Sequence, residues 1–142
     1  MNDSVFIHTQ DQLKQMARDV LHYAQQKGAS DASVDFSEGS GLSVSVRKGK
    51  IETIEQNKDK GMSVPVYLGQ RRGNASSSDF SLSALQATVD AAYNIARFTA
   101  EDDCAALPED ELLEMAPRDL KLCYPWLVST EDAVVLAQRA EN

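Results

Sequence analysis

Gly41-Leu-Ser-Val-Ser-Val-Arg-Lys-Gly-Lys50, continued by Ile51-Glu-Thr-Ile-Glu-Gln-Asn-Lys-Asp-Lys60 and Gly61-Met-Ser-Val-Pro-Val-Tyr-Leu-Gly-Gln-Arg-Arg-Gly-Asn-Ala-Ser-Ser-Ser-Asp79, is a succession of short alternating runs broken by glycine. Leu42, Val44 and Val46 alternate with Ser43 and Ser45, the period of two that a half-buried strand requires. Lys48-Gly49 supplies a turn, and the run from Ile51 to Asn57 returns. Ile51 and Ile54 are out of phase, which predicts a bulge or local twist near Thr53. Lys60-Gly61 reads as the next turn. Met62, Val64, Val66 and Leu68 then share one face, and Gly69-Gln70 has the Gly-X form of a tight hairpin turn. Residues 71–77 are the partner strand. Pro65 has no N–H for a ladder bond, so its strand is expected at an edge or with a bulge.

Working outward, Ala32–Ser37 adds another strand signal through Val34 and Phe36. A helix is predicted from about Asp11 to Lys27, where Leu13, Met16, Ala17, Val20, Leu21 and Ala24 form an apolar stripe. Thr9 or Asp11 caps it, Gly28 ends it, and His22 beside the stripe reads as an ordinary partly buried histidine. A second helix starts at Ser81 or Ser83 and runs to Phe98, with Leu82, Leu85, Val89, Ala92, Ile95 and Ala96 on its apolar face. Helices flanking a one-faced sheet belong on its apolar side. The predicted fold is therefore α+β, a two-layer sandwich of an antiparallel β-meander of 4–5 strands with helices packed on one face.

The expected organisation is an α+β domain over 1–100, then an acidic, proline-punctuated connection and the start of a further helix over 101–142. Glu101-Asp102-Asp103, Pro108 to Glu111, Pro117 and Pro125 mark the connection. Thr130 is the expected cap of the last pattern, Ala133, Val134, Ala137 and Ala140. That pattern runs to the last residues, as the front part of a longer chain would.

Composition excludes several classes. The 142 residues carry a net charge of −8, with 42% hydrophobic and 25% charged residues. Such a balance opposes general nucleic-acid binding, which needs a basic face. No apolar run approaches the roughly 18 residues of a membrane span. Met1-Asn2-Asp3-Ser4 lacks the basic and apolar regions of a signal peptide. Cys104 and Cys123 stand 19 positions apart without a Cys-x-x-Cys pairing, so free thiols in a reducing cytoplasm are expected. Two cysteines with the scattered His8 and His22 make no metal-ligand pattern.

No stretch carries a catalytic signature. Gly39-Ser40-Gly41 and the glycines at 69 and 73 match no phosphate loop and read as turn glycines. Glu52, Glu55, Glu101 to Asp103 and Glu109 to Glu111 lack any sign of the burial that acid–base work needs. Ser76-Ser77-Ser78 reads as a strand end before a helix cap, not a nucleophile elbow. Positive charge gathers at Arg47, Lys48, Lys50, Lys58, Lys60, Arg71 and Arg72. Arg47, Lys48, Arg71 and Arg72 are the candidate contacts for a partner or peptide carboxylate. The plainer reading of these charges is solubility, or pairing with the acidic 101–119 segment.

Several motifs carry a resemblance. The runs Gly41–Glu52, Lys60–Gly69, Gly73–Asp79 and Ala96–Asp102, with Leu107-Pro108, are similar in order and content to the N-terminal domain of the TldD/PmbA family. They resemble its PmbA (TldE) branch more than TldD. The likeness extends over nearly all of residues 11–142. It implies a heterodimeric, zinc-dependent peptidase acting on peptides and unfolded polypeptides, in a family also labelled modulator of DNA gyrase. The zinc-binding His-Glu-x-x-x-His helix belongs to the larger C-terminal domain of a TldD-like partner subunit. No catalytic, cofactor or metal residue is thereby carried onto this chain. Asp102-Asp103-Cys104 departs from the Asp-Pro common at that place. The expected function is a non-catalytic domain contributing to subunit assembly and substrate-chamber walls. The alternative is a stand-alone protein- or peptide-binding module.

Overall fold

The computed structural model describes residues 6–141; Met1 to Ser4, read above for a leader, lie outside that range. Helix α1 is Gln10–Gln26, followed by β1 (Asp31–Ala32), β2 (Asp35–Arg47), β3 (Lys50–Leu68), β4 (Arg71–Ser77), α2 (Leu82–Phe98), a 3-10 turn at Asp110–Leu112 and α3 (Thr130–Glu141). The fold is α+β with an antiparallel four-stranded sheet. Among the described residues the chain divides into two compact units. One comprises 7–38 and 60–115, the other Phe6, 39–59 and 116–141.

In the first unit, sequence-local capping sets the helix ends. Thr9 and Gln12 form a reciprocal capping box at the start of α1. Gly28 takes a positive φ of 94° just past its end. Ser81 caps α2 through the Ala84 N–H at 3.4 Å, and Asp79 accepts from the Ser81 N–H at 2.8 Å. That bond and the Ser81 hydroxyl hold the Asp79 carboxyl below its ordinary value. Helix α2 packs on β4, and α1 packs on α2 and β1. The buried core is Val20, Ala24, Met62, Val64, Val66, Phe80, Leu85, Val89 and Ala92. Met62, Val64 and Val66 are the apolar face anticipated from their alternation.

Four expectations need correction. Lys60-Gly61 is not a turn, because β3 runs unbroken through it. Residues 50–59 are exposed throughout, so the polar run from Gln56 to Asp59 is accommodated as a strand that buries neither face. Ala32–Ser37 is not one strand: it divides between β1 and β2, and β2 continues without a break through Gly39-Ser40-Gly41. Those glycines thus lie inside a strand. Pro65 does not lie on an edge strand, since Val66 and Tyr67 pair with β1 on one side and with β4 on the other.

Pro65 nevertheless leaves its mark. Ser33 donates its N–H to the Pro65 carbonyl at 3.1 Å, and proline has none to return. The ladder lapses there: β1 stops at Ala32 and β2 starts at Asp35. On the other side the β3–β4 register runs from Met62 opposite Ser77 to Leu68 opposite Arg71. Gly69, at φ 60°, turns that hairpin as expected.

In the second unit, Lys48 (φ 52°) and Gly49 (φ 70°) form the two-residue turn between β2 and β3. Both residues lie in the left-handed region, as a type I′ hairpin requires. The Ser45 hydroxyl donates to Thr53 at 2.9 Å across the strands. Helix α3 starts one residue earlier in its capping than Thr130 would give. Ser129 accepts from the Asp132 N–H at 3.1 Å and is the side chain that closes its first turn.

Candidate interaction surfaces

β4 pairs with β3, and among the described residues no other strand of this chain pairs with it. In an antiparallel hairpin, alternate residues aim their N–H and C=O groups away from the partner strand. With a two-residue turn and Leu68 opposite Arg71, the outward set is Arg72, Asn74 and Ser76. All three are exposed, whereas Gly73 between them is buried against α2. The edge therefore offers a row of backbone donors and acceptors beside polar side chains. Asn74 also accepts from the Ser63 hydroxyl at 3.1 Å, which fixes its side chain.

The candidate arginines at this hairpin differ in their engagement. Arg71 bonds Glu101 at 3.3 Å and the Arg97 carbonyl at 3.3 Å. Its charge thus meets the start of the acidic segment, the plainer of the two readings. Arg72 is exposed and lines a cleft of about 200 Å³ with Tyr67, Thr99, Asp102 and Cys104. The Asp102 N–H donates to the Gln70 carbonyl at 2.9 Å, holding that segment on the β3–β4 turn. Cys104 and Cys123 are both exposed thiols.

Arg47 and Lys48 belong to the other unit, at the β2–β3 turn. Arg47 lies 3.7 Å from Glu52, with both side chains open to solvent, a pairing of little strength. Lys48 acts through its backbone, whose N–H donates to Glu141. Arg47 and Lys48 thus belong to one unit, Arg71 and Arg72 to the other.

The second unit also bears an apolar surface that periodicity did not reveal. Leu122, Tyr124, Trp126 and Leu127 are all largely exposed, Tyr124 to 79% and Trp126 to 72%. With Leu42, Gln56 and Lys58 they line a groove of about 510 Å³. The only sequence signal for it was aromatic residues inside an otherwise acidic connection.

One polar cluster was missed altogether. The Glu38 carboxylate accepts from the Ile7 N–H at 3.0 Å and the His8 N–H at 3.2 Å, and pairs with His8 Nδ1. Its side chain is only 6% exposed. Burial pushes the Glu38 carboxyl up, but the bonds from His8 and Ile7 together outweigh burial and hold it below its ordinary value. The Phe80 ring lies tilted beside His8 with ring centroids 5.5 Å apart, meets Phe36 edge-on at 5.0 Å, and carries the Lys60 ammonium over its face at 5.0 Å. Thirty residues separate the two partners of the pair in sequence. Spacing could not have joined them. The cluster holds the entry to α1 against β2, and no nucleophile appears in the contacts it makes.

Among the described residues, no group of three or more His, Cys, Asp or Glu side chains is placed to hold a metal ion. No helix among them is long and apolar enough to cross a membrane.

Comparison with known proteins agrees with this picture. Residues 32–96 match the family model described as PmbA/TldA metallopeptidase domain 1. The chain is 45% identical over 116 residues to the metalloprotease PmbA of Escherichia coli O157:H7, covering 81% of this chain and 26% of that protein. It is 38% identical over 142 residues to a metalloprotease PmbA homolog of Haemophilus influenzae, covering 99% and 31% respectively. The chain thus spans about a quarter to a third of the relatives it matches. Among solved structures, a putative modulator of DNA gyrase from Bacteroides thetaiotaomicron shares the fold with a TM-score of 0.69 at 21% identity, over 77% of this chain and 24% of that one. TldE from Thermococcus kodakarensis does so with a TM-score of 0.61 at 14% identity, over 66% and 21%. The match to the family's first domain and the identity to PmbA proteins mean that this chain belongs to the TldD/PmbA family, on the PmbA side.

Proposed function

We propose that this chain is the non-catalytic N-terminal domain of a PmbA/TldE-like subunit in a zinc-dependent peptidase complex that acts on peptides or unfolded polypeptides in the cytoplasm. Its part is to support assembly with a TldD-like subunit and to form wall rather than centre of the substrate chamber. The zinc, on this reading, belongs to the partner subunit.

The observation that carries the reading is the outer edge of β4. Arg72, Asn74 and Ser76 turn their main-chain groups away from β3 there, with no second partner strand among the described residues, and an extended polypeptide can add to such an edge through backbone bonds without sequence preference. That mode suits a protein that handles many peptides or docks another subunit's strand. The relatives are named metalloproteases, and this chain aligns with about a quarter to a third of their length.

The test is capture of the native product with an antibody to this domain, followed by intact mass and identification of what comes with it. A mass several-fold above 15.6 kDa with a partner bearing His-Glu-x-x-x-His supports the proposal. A mass near 15.6 kDa without such a partner leaves a free binding module and refutes it.

A further inference from the structure

The β2–β3 turn places two consecutive residues, Lys48 and Gly49, at positive φ. Successive N–H groups in such a turn converge and make a small anion-binding concavity. That concavity is filled. Both N–H groups donate to the Glu141 carboxylate, Lys48 to Oε1 and Gly49 to Oε2, the latter at 2.7 Å. Gln138, one helical turn earlier on α3, returns its amide to the Gly49 carbonyl at 3.1 Å.

Burial does not fix the helix, for α3 has no fully buried residue. Its Ala133, Leu136, Ala137 and Ala140 only line an open cleft of about 390 Å³ with Leu42, Val44, Trp126 and Val128. Apolar contact of that kind is non-directional and sets no register.

We propose that the β2–β3 turn is a carboxylate-binding site built from main-chain N–H groups, that its ligand is the Glu141 side chain, and that this clasp sets the register of α3 on the hairpin. The Lys48 ammonium is incidental to it. The site takes a carboxylate because two convergent donors match two oxygens, a charge-assisted arrangement stronger than a neutral one.

Amide hydrogen exchange on the 142-residue chain tests this through NMR signals of Lys48 and Gly49. Glu141→Gln keeps the shape and removes the charge. It is expected to speed exchange at both amides by about 10- to 100-fold, the range for losing hydrogen bonds to a charged group. It should also speed exchange in α3 at Ala137, while Val64, Val66 and Val89 in the other unit stay unchanged. Lys48→Met keeps the N–H and should preserve protection. Unchanged exchange in Glu141→Gln overturns the proposal. So does a loss in Lys48→Met equal to that in Glu141→Gln, since side-chain charge would then be the cause.

Discussion

Gly73 on β4 lies against Ala92 on α2 so closely that a Cβ added at 73 would run into the Ala92 carbonyl and the Ala96 amide nitrogen. Strand and helix backbones meet here without a side chain between them. Gly73→Ala therefore has to push α2 off the sheet. We expect it to destabilise by roughly 1–3 kcal/mol or more, read as a lower urea midpoint. An unchanged midpoint would mean that the two elements separate freely.

Met62 poses the opposite test, a cavity instead of a clash. It is 2% exposed and sits in the core with Val64, Val66 and Phe80. Met62→Ala is expected to cost about 2–5 kcal/mol in the same assay, whereas removal of the exposed Ile54 side chain should cost far less.

The His8–Glu38 pair makes stability depend on acid. The Glu38 carboxyl titrates lower in the folded chain than in the unfolded one. Its contribution is hence fully present above the ordinary glutamate value of about 4.3 and is lost as the pH falls through the folded value. The urea midpoint of the parent chain should drop over that window. Glu38→Gln should start lower at neutral pH and drop less. Asp79, also lowered, adds to the residual slope. Equal acid slopes in the two proteins would remove Glu38 from the account.

Lys27 and Asp90 are bonded at 2.9 Å, and the Tyr23 hydroxyl donates to the same carboxylate at 3.2 Å. The hydrogen bond to Asp90, then its charge, raises the lysine value. A raised value means a contribution present at neutral pH and lost only in strong alkali. Both side chains are 40% exposed, so solvent screens the pair heavily. Asp90→Asn should leave the neutral urea midpoint within error of the parent and abolish any salt dependence the pair confers.

Much of the fold could be read from local signals. Thr9, Gly28 and Ser81 sit at helix ends because capping is a matter of a few neighbouring residues. Gly69 was legible for the same reason. Strand continuity was not. Lys60-Gly61 resembles a turn, but pairing with a neighbouring strand can carry β3 through it and through the exposed run before it. Pro65 was read as marking an edge strand or a bulge, but its strand is paired on both sides and the break falls between β1 and β2, which no local rule locates. The His8–Glu38 and Glu141–Gly49 contacts join residues 30 and 92 positions apart, beyond the reach of any motif. The candidate cations were legible as charges, but not that Arg47 and Lys48 belong to one unit and Arg71 and Arg72 to the other.

The 92 positions between Gly49 and Glu141 also set a timetable. Closing a flexible loop of that length costs on the order of 4 kcal/mol in chain entropy, against far less for the two-residue turns at 48–49 and 69–70. Hairpins of that kind form in microseconds, before distant contacts can repay their closure. Helix α3 should accordingly settle after the β2–β3 and β3–β4 hairpins, and pulse-labelled exchange during refolding should find Ala137 protected later than Val66. On a ribosome the delay is longer still, because Glu141 leaves the exit tunnel well after the hairpin it fastens. During that interval Leu42 and Val44 face solvent, and a chaperone that binds apolar segments would find this chain there.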